Sequence, residues 1–518
     1  MIPSLQKKHI AISFTIIFLL ALFAYSRTFN GEFQFDDDTS VIENPYVNGA
    51  SKFSLHDLLS GIASGGRPFT AITFALNYGF GGLDVRGYHI TNFLIHIFNG
   101  ILVFYLALFT FNSPKLQSSY YTRAPYAALI AAALFLLHPI QTEAVSYISQ
   151  RYESLASLFY LCSLLAYIEA RQTAEAEAKV KIKIKIFSTS TLTFYLLSVF
   201  SGILAIYSKE IAITLPVVML LYDFYFLEDR PFLRRVAGPG IFIGLSLITG
   251  ILIISGFSKS IDAGFSVKAF TPWEYLMTQF RVLTAYIRLI FLPVNQNLDY
   301  DFRISRSFFE AETVLSFIFL LMLLFSALLL FKKWRLGSFF ILWFFIILAP
   351  TSTIIPIIDP IFEHRVYLAS AGIFIVVAGI LSRWMLNPSP IPLPPGAGLR
   401  EGSLRQGEGA KGRVEDETTL SDREDSIRKT IELLKQGGIV AVKGLGGFHI
   451  ACDAKNKDAV ERLRKGKRKS NKPFALMAPD IATIERYCEV SEEEKQILNF
   501  NKRPVVLLRK RADADSLP

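Results

Sequence analysis

Cysteine is nearly absent from this chain: three residues in 518, Cys162, Cys452 and Cys488, the first inside an apolar run. That count excludes a disulfide framework. No 34-residue repeat is visible, which excludes a helical-repeat array. Charge is scarce too, but only in part of the chain. Residues 396–518 hold 45 of the 98 charged side chains in under a quarter of the length. The stretch before them is an apolar body, and the tail is charge-rich and soluble in composition. The net charge of +10 is no argument for nucleic acid, since basic loops beside a membrane account for it as well. A nucleic-acid partner is not expected.

What the chain has in quantity is apolar length. It is 52% hydrophobic and 14% aromatic, with a mean hydropathy of +0.38, on the membrane side of globular usage. Stretches long enough to cross a bilayer fall near 10–25, 91–111, 124–138, 153–170, 190–207, 211–227, 239–257, 312–331, 337–355 and 366–385. The expectation is an α-helical polytopic membrane protein of about ten spans. Residues 10–25 read as a retained signal anchor, although Ala24-Tyr25-Ser26 would also serve as a signal-peptide cleavage site.

Basic loops set the orientation. Lys7-Lys8, the lysine run from Lys179 to Lys185, Arg230 to Arg235 and the group Lys332-Lys333-Trp334-Arg335 are expected in the cytoplasm. The last agrees only if 258–311 stays outside, so 274–292 reads as an interfacial or re-entrant helix. Its Arg281 and Arg288 are seven apart and share a face. A charged Arg at mid-membrane costs about 2.5–3.5 kcal/mol on insertion scales. They would meet lipid phosphates or snorkel to headgroups. The outer side then collects 26–90, 139–152, 208–210, 258–311 and 356–365. Parity places the tail in the cytoplasm.

Each outer segment carries polar groups that are costly near lipid without a purpose. The first has Asp36-Asp37-Asp38, where neighbouring like charges raise proton affinity, as a general base requires, although a solvated acidic turn would look the same. His138, Glu143, Arg151, Lys209, Glu210, Glu363, His364 and Arg365 occupy the second, third and fifth. Each could be a structural pair at a helix end, Glu143 with Arg151 or Lys209 with Glu210. Together they suit an anionic lipid-linked donor and a hydroxyl acceptor that needs a base. His89, Asn92 and His96 recur at i, i+3 and i+7 on one helix face, open either to metal ligation or to intramembrane hydrogen bonding.

The segments FQFDDDTSVIENPYV, RPFTAITFALNYGFGGLDVRGYHITNFLIHIFNG, LLHPIQTEAVSYISQRYESLASLFYL, YSKEIAITLPVVMLLYD and EHRVYLASAGI resemble the transmembrane-and-tetratricopeptide-repeat proteins over residues 10–385. That family is a branch of the GT-C multi-spanning glycosyltransferases related to protein O-mannosyltransferases. The resemblance implies transfer of a hexose, mannose foremost, from a polyprenyl- or dolichyl-phosphate to a protein hydroxyl on the outer face of a bacterial inner or ER-type membrane. It implies an Asp base in the first outer loop, Asp37 first, then Asp36 and Asp38. It also implies phosphate contacts from Arg151, Lys209, His364 and Arg365, joined by Arg281 and Arg288, with His89, His138, Glu143, Glu210 and Glu363 in support. Reaction by displacement with inversion needs no metal if basic side chains carry the leaving charge. A divalent ion stays open. The competing classes are a lipid or ion transporter, which would place polar groups mid-membrane, and a membrane-anchored carbamoyltransferase-like enzyme.

The tail departs from that family. A proline-rich stretch, Pro388 to Pro395, opens a linker over 388–425. From 426 onward, KGLGGFHIACDA and KPFALM resemble the YrdC-like domain of hydrogenase-maturation carbamoyltransferases, so 426–518 is expected to be a small, truncated α/β domain after a transmembrane domain of 1–387. IRKTIELLKQGG reads as a helix and IVAVKGLGGFHIACD as a buried strand entering a glycine turn. DAVERLRKGKRKSNKPFALM reads as a helix, a basic loop and a strand. The resemblance implies ATP binding near Lys467, Lys469 and Lys472. Its expected incompleteness points to a fusion remnant, and a solvated basic loop is the plainer reading of those lysines.

Overall fold

A computed structural model describes residues 4–48, 67–116, 120, 123–180, 189–227, 239–240, 242–245, 247–248, 264–265, 267–385, 420–444, 447–466, 474–499 and 505–511. The chain divides into two compact units, 1–392 and 393–518.

The first unit is a helix bundle. Its described helices are α1 (Ser4–Ala24), α2 (Pro68–Gly81), α3 (Val85–Phe111), α4 (Ala124–Leu137), α5 (Thr142–Ser146), α6 (Arg151–Val180), α7 (Thr189–Ile206), α8 (Leu215–Phe226), α9 (Pro272–Phe291), α10 (Ala311–Lys333), α11 (Arg335–Leu348) and α12 (Tyr367–Met385). Local chemistry sets their ends. Pro68 occupies the first turn of α2, where its missing N–H costs nothing, and Gly82 follows the helix at φ 60. Asp84 caps α3 by accepting the Arg86 N–H at 3.1 Å. Thr271 and Glu274 form a reciprocal capping box at the start of α9.

Small residues let the helices approach. Along α6 and α7, Ser163 Oγ donates to Ser198 O at 2.7 Å and Ser198 Oγ to Ser163 O at 2.9 Å, so each hydroxyl is satisfied across the seam. On α3, a Cβ at Gly100 would lie 2.4 Å from Leu136, so only glycine permits this contact with α4. The core runs through α3, α4, α6, α8, α11 and α12 and is built from residues such as Ala128, Leu164, Tyr222 and Trp343.

Helix lengths account for part of the expected ten spans. Among the described residues five helices are long and apolar enough to cross a membrane, or six if the bent pair Ala124–Leu137 and Pro139–Ser146, at 54°, is one span. Local chemistry shortens or interrupts several of the others. His138-Pro139 ends the third expected span at Leu137, because proline removes a donor and clashes with the preceding turn. The expected span at 211–227 is a 3₁₀ turn, Glu210–Thr214, followed by the 12-residue α8. The one at 337–355 ends its helix at Leu348, and 239–257 lies largely outside the described residues. Helix α9 is not among the span-length apolar helices.

The second unit carries the helix Leu420–Lys435, stopped at Gly437 with φ 81. An antiparallel hairpin pairs Val440–Gly444 with Gly447–Ala451. The helix Lys457–Gly466 and a second two-stranded pair, Cys488–Glu489 with Arg509–Lys510, follow. Two expectations are corrected here. The IVAVKGLGGFHIACD stretch is a hairpin rather than one strand, and its Ile450 is 60% exposed. The KPFALM stretch forms no strand over its described residues 474–477. Lys467, Lys469 and Lys472 lie outside the described residues.

Candidate active site

One end of the bundle gathers all five polar segments. The loop after α1 enters first. Phe35 has φ 46, a backbone conformation that a bulky side chain rarely adopts, and the chain then turns Asp37 inward. Asp37 is buried. Its Oδ2 accepts the Gln34 N–H at 3.0 Å and its Oδ1 accepts the Ser149 N–H at 2.6 Å. Burial raises its proton affinity above the ordinary carboxylate range. The two backbone donors oppose that rise and the neighbouring Asp36 adds to it. Asp36 is exposed, and its backbone N–H donates to the Tyr147 hydroxyl at 2.8 Å. Asp38 is exposed at the start of a wide helical turn, Asp38–Ile42.

Beside this loop lies a polar cavity of about 320 Å³ lined by Asp36, Arg67, Ser149, Gln150 and Tyr152, with Thr39 and Ser40. Arg67 lies over the Tyr152 ring at 5.1 Å and pairs with Glu210 at 2.7 Å. Burial pushes the Glu210 carboxyl up, but Arg67 and Lys209 outweigh it and hold the group at about 2. Lys209 pairs with Glu153 at 2.9 Å. The ion pairing therefore differs from the simplest pairing in sequence: Lys209 takes Glu153, and Glu210 takes Arg67.

Glu143 likewise does not pair with Arg151. Its Oε2 accepts the His364 backbone N–H at 3.0 Å and its Oε1 lies 2.5 Å from His364 Nδ1. The His364 ring also stacks on Phe362, 5.1 Å between centroids. Lys209, Arg365, Arg67 and Glu210 lie within electrostatic reach of His364. Glu363 accepts from Tyr300 Oη, Gln296 Nε2 and, at 3.0 Å, the Asn297 N–H. Gln296 reaches on to Pro139 O at 3.1 Å. These contacts bring the 258–311 segment to the same end.

Other expected site residues are committed to the scaffold. Arg151 is fully buried, donating from Nε to Asn92 Oδ1 at 2.6 Å, to Thr73 Oγ1 at 3.2 Å and to Tyr88 O at 3.1 Å, with Phe74 4.4 Å beneath its guanidinium. Arg365 donates to Pro360 O and Asp359 O. Arg281 pairs with Glu312 at 2.5 Å, and Arg288 is exposed with one long contact to Val294 O. The face shared by His89, Asn92 and His96 splits among different partners: Gly31 O, Arg151 with Ile148 O, and Tyr367 with Leu136 O. Among the described residues no group of three or more His, Cys, Asp or Glu is placed to hold a metal. His138 Nδ1 accepts the Ile140 N–H at 3.2 Å and its ring packs on Phe374, holding the bend.

Tyr147, Ser149, Gln296 and Tyr300 are not legible in the sequence as site residues. For Gln296 and Tyr300 the one signal is the polar run at 295–301, unusual next to an apolar helix.

Comparison with known proteins divides along the same line as the two units. Residues 432–518 match the family model Sua5_yciO_yrdC, described as telomere recombination. The human protein O-mannosyl-transferase TMTC4 is 30% identical over 218 residues, 39% of this chain and 28% of that protein, across the middle of the chain. The chain carries two resemblances, one per unit. A Caenorhabditis elegans protein O-mannosyl-transferase, F38B6.6, is 28% identical over 313 residues, 55% of this chain and 39% of its own length. The carbamoyltransferase HypF2 of Cupriavidus necator is 50% identical over 91 residues, 18% of this chain and 11% of its own length. The chain thus spans well under half the length of each of these relatives. No solved structure matches. The helices long and apolar enough to cross a bilayer mark the first unit as a helical membrane protein.

Proposed function

We propose that the first unit is a membrane glycosyltransferase that moves a hexose, mannose foremost, from a polyprenyl- or dolichyl-phosphate donor to a protein hydroxyl at the outer face. The observation that carries this reading is the polar cavity. Asp36 and Arg67 both line it, at the end of the bundle where all five polar segments converge.

The chemistry needs a base and a cationic cradle. The acceptor Ser or Thr hydroxyl gives its proton to a carboxylate as its oxygen attacks the anomeric carbon. The bond from that carbon to the phosphate oxygen breaks, and its electron pair leaves with the lipid phosphate. Asp36 is the better placed of the triplet, because Asp37 uses both oxygens on backbone N–H groups. Asp37 then holds the loop that carries Asp36. Arg67 and Lys209 supply positive charge for the departing phosphate, with the His364 ring held in place by Glu143. Arg151 fits the scaffold better than the cradle, since its guanidinium is already engaged.

Membranes carrying the full chain, given radiolabelled polyprenyl-phosphate mannose and a Ser/Thr peptide, should yield labelled peptide. Asp36→Asn should remove it with expression unchanged. No transfer by the wild-type chain from mannose, glucose or galactose donors, under conditions where a known O-mannosyl-transferase is active, would end this reading.

A further inference from the structure

The far end of the bundle holds a second cavity that the proposed reaction does not use. Helices α3 and α12 run away from the carboxylate cluster, and Tyr120 and Trp384 lie beyond or at their distant ends. Trp334 sits at the joint between α10 and α11. The cavity, about 320 Å³, is lined by Tyr120, Trp334, Ile380, Arg383 and Trp384.

Its walls are fixed. A Cβ at Gly337 would lie 2.4 Å from the Trp334 ring, so that ring rests on helix backbone one turn ahead. The Arg383 guanidinium lies 4.8 Å over the Tyr120 ring. Arg383 and Trp384 are exposed, Trp384 to 79%. Lys332, Lys333 and Arg335 flank Trp334, and no Asp or Glu occurs in 120–126, 331–335 or 380–385. Tryptophan at the ends of apolar helices marks the headgroup level of a bilayer, where a cationic stretch attracts anionic lipid.

We propose that this cavity binds one anionic glycerophospholipid, its phosphate on Arg383 and its glycerol and upper acyl chain against Trp334, Trp384 and Ile380. A mostly aromatic and aliphatic lining with one cation fits an amphiphile better than a free phosphate, which would require several donors.

The full chain in detergent offers four tryptophans, two of them in this cavity, as reporters of acyl-brominated lipids. Brominated phosphatidylglycerol should quench at about fivefold lower concentration than brominated phosphatidylcholine, the preference expected for one basic residue beside an anionic lipid. Arg383→Gln should erase the preference, Arg383→Lys should keep it, and glycerol 1-phosphate should not compete. Equal quenching by the two lipids, a preference that survives Arg383→Gln or is lost in Arg383→Lys, or displacement by glycerol 1-phosphate would overturn the assignment.

Discussion

Asp37 accepts the backbone N–H of Ser149 at 2.6 Å, tying together residues 112 positions apart. The contact fastens the first polar loop to the entry of α6, the helix that also carries Arg151 and Glu153. It separates two positions within one acidic triplet, since Asp37 is buried on backbone donors while Asp36 is exposed and lines the cavity.

Asparagine at the two positions should therefore behave differently. Asp36→Asn should lower sugar transfer by about 10²–10⁴ with the folded state unchanged, the usual cost of losing a base. Asp37→Asn turns one accepting oxygen into an N–H₂ that faces a backbone donor, and should destabilise the loop by about 1–3 kcal/mol. Transfer assays and thermal unfolding of the purified protein distinguish them. Full activity in both variants would remove the triplet from the mechanism.

Arg151→Lys should act on stability. A lysine cannot supply a planar fork to Asn92, Thr73 and Tyr88 at once, so about 2–4 kcal/mol should be lost as buried acceptors go unpaired. A raised KM for the lipid donor with unchanged melting would instead return Arg151 to the phosphate cradle.

Glu210 should make the fold acid-sensitive. Its carboxyl is held at about 2, below the ordinary 4.5, so the Arg67 and Lys209 contacts contribute fully above pH 4.5. That contribution should be lost progressively as pH falls through 4.5 toward 2. Melting curves of the wild type and Glu210→Gln should converge over that window. Parallel curves would remove Glu210 as the cause.

Glu143→Gln should slow transfer more than it weakens donor binding. One amide oxygen cannot serve both His364 donors, so the ring loses its fixed orientation while Lys209 and Arg67 stay in place. Steady-state kinetics should show kcat falling with KM nearly constant.

Deleting 393–518 should leave sugar transfer unchanged, because the five converging segments all belong to the first unit. A loss of activity with intact membrane insertion would tie the second unit to the reaction.

Much of the site was legible because burying charge near lipid is costly. The acidic triplet, Lys209-Glu210 and Glu363-His364-Arg365 stand out against apolar surroundings for that reason alone. Pairing was not legible. Glu153 and Lys209 are separated by a helical hairpin, and nothing in local spacing chooses Glu153 over the adjacent Glu210. Helix continuity was not legible for a related reason. Apolar composition extends through Glu210–Thr214 and past Leu348, but backbone continuity does not.

Composition by itself determined a helical membrane body, its acidic first loop and a chemically different tail, because transfer out of water acts on each residue wherever it sits. Which carboxylate faces a cavity, which arginine is spent inside the bundle and which glycine admits Leu136 or Trp334 were decided only by tertiary structure. Those outcomes depend on distances of a few ångströms between segments far apart in the chain, and hydrogen bonds and contacts at that range are set by packing.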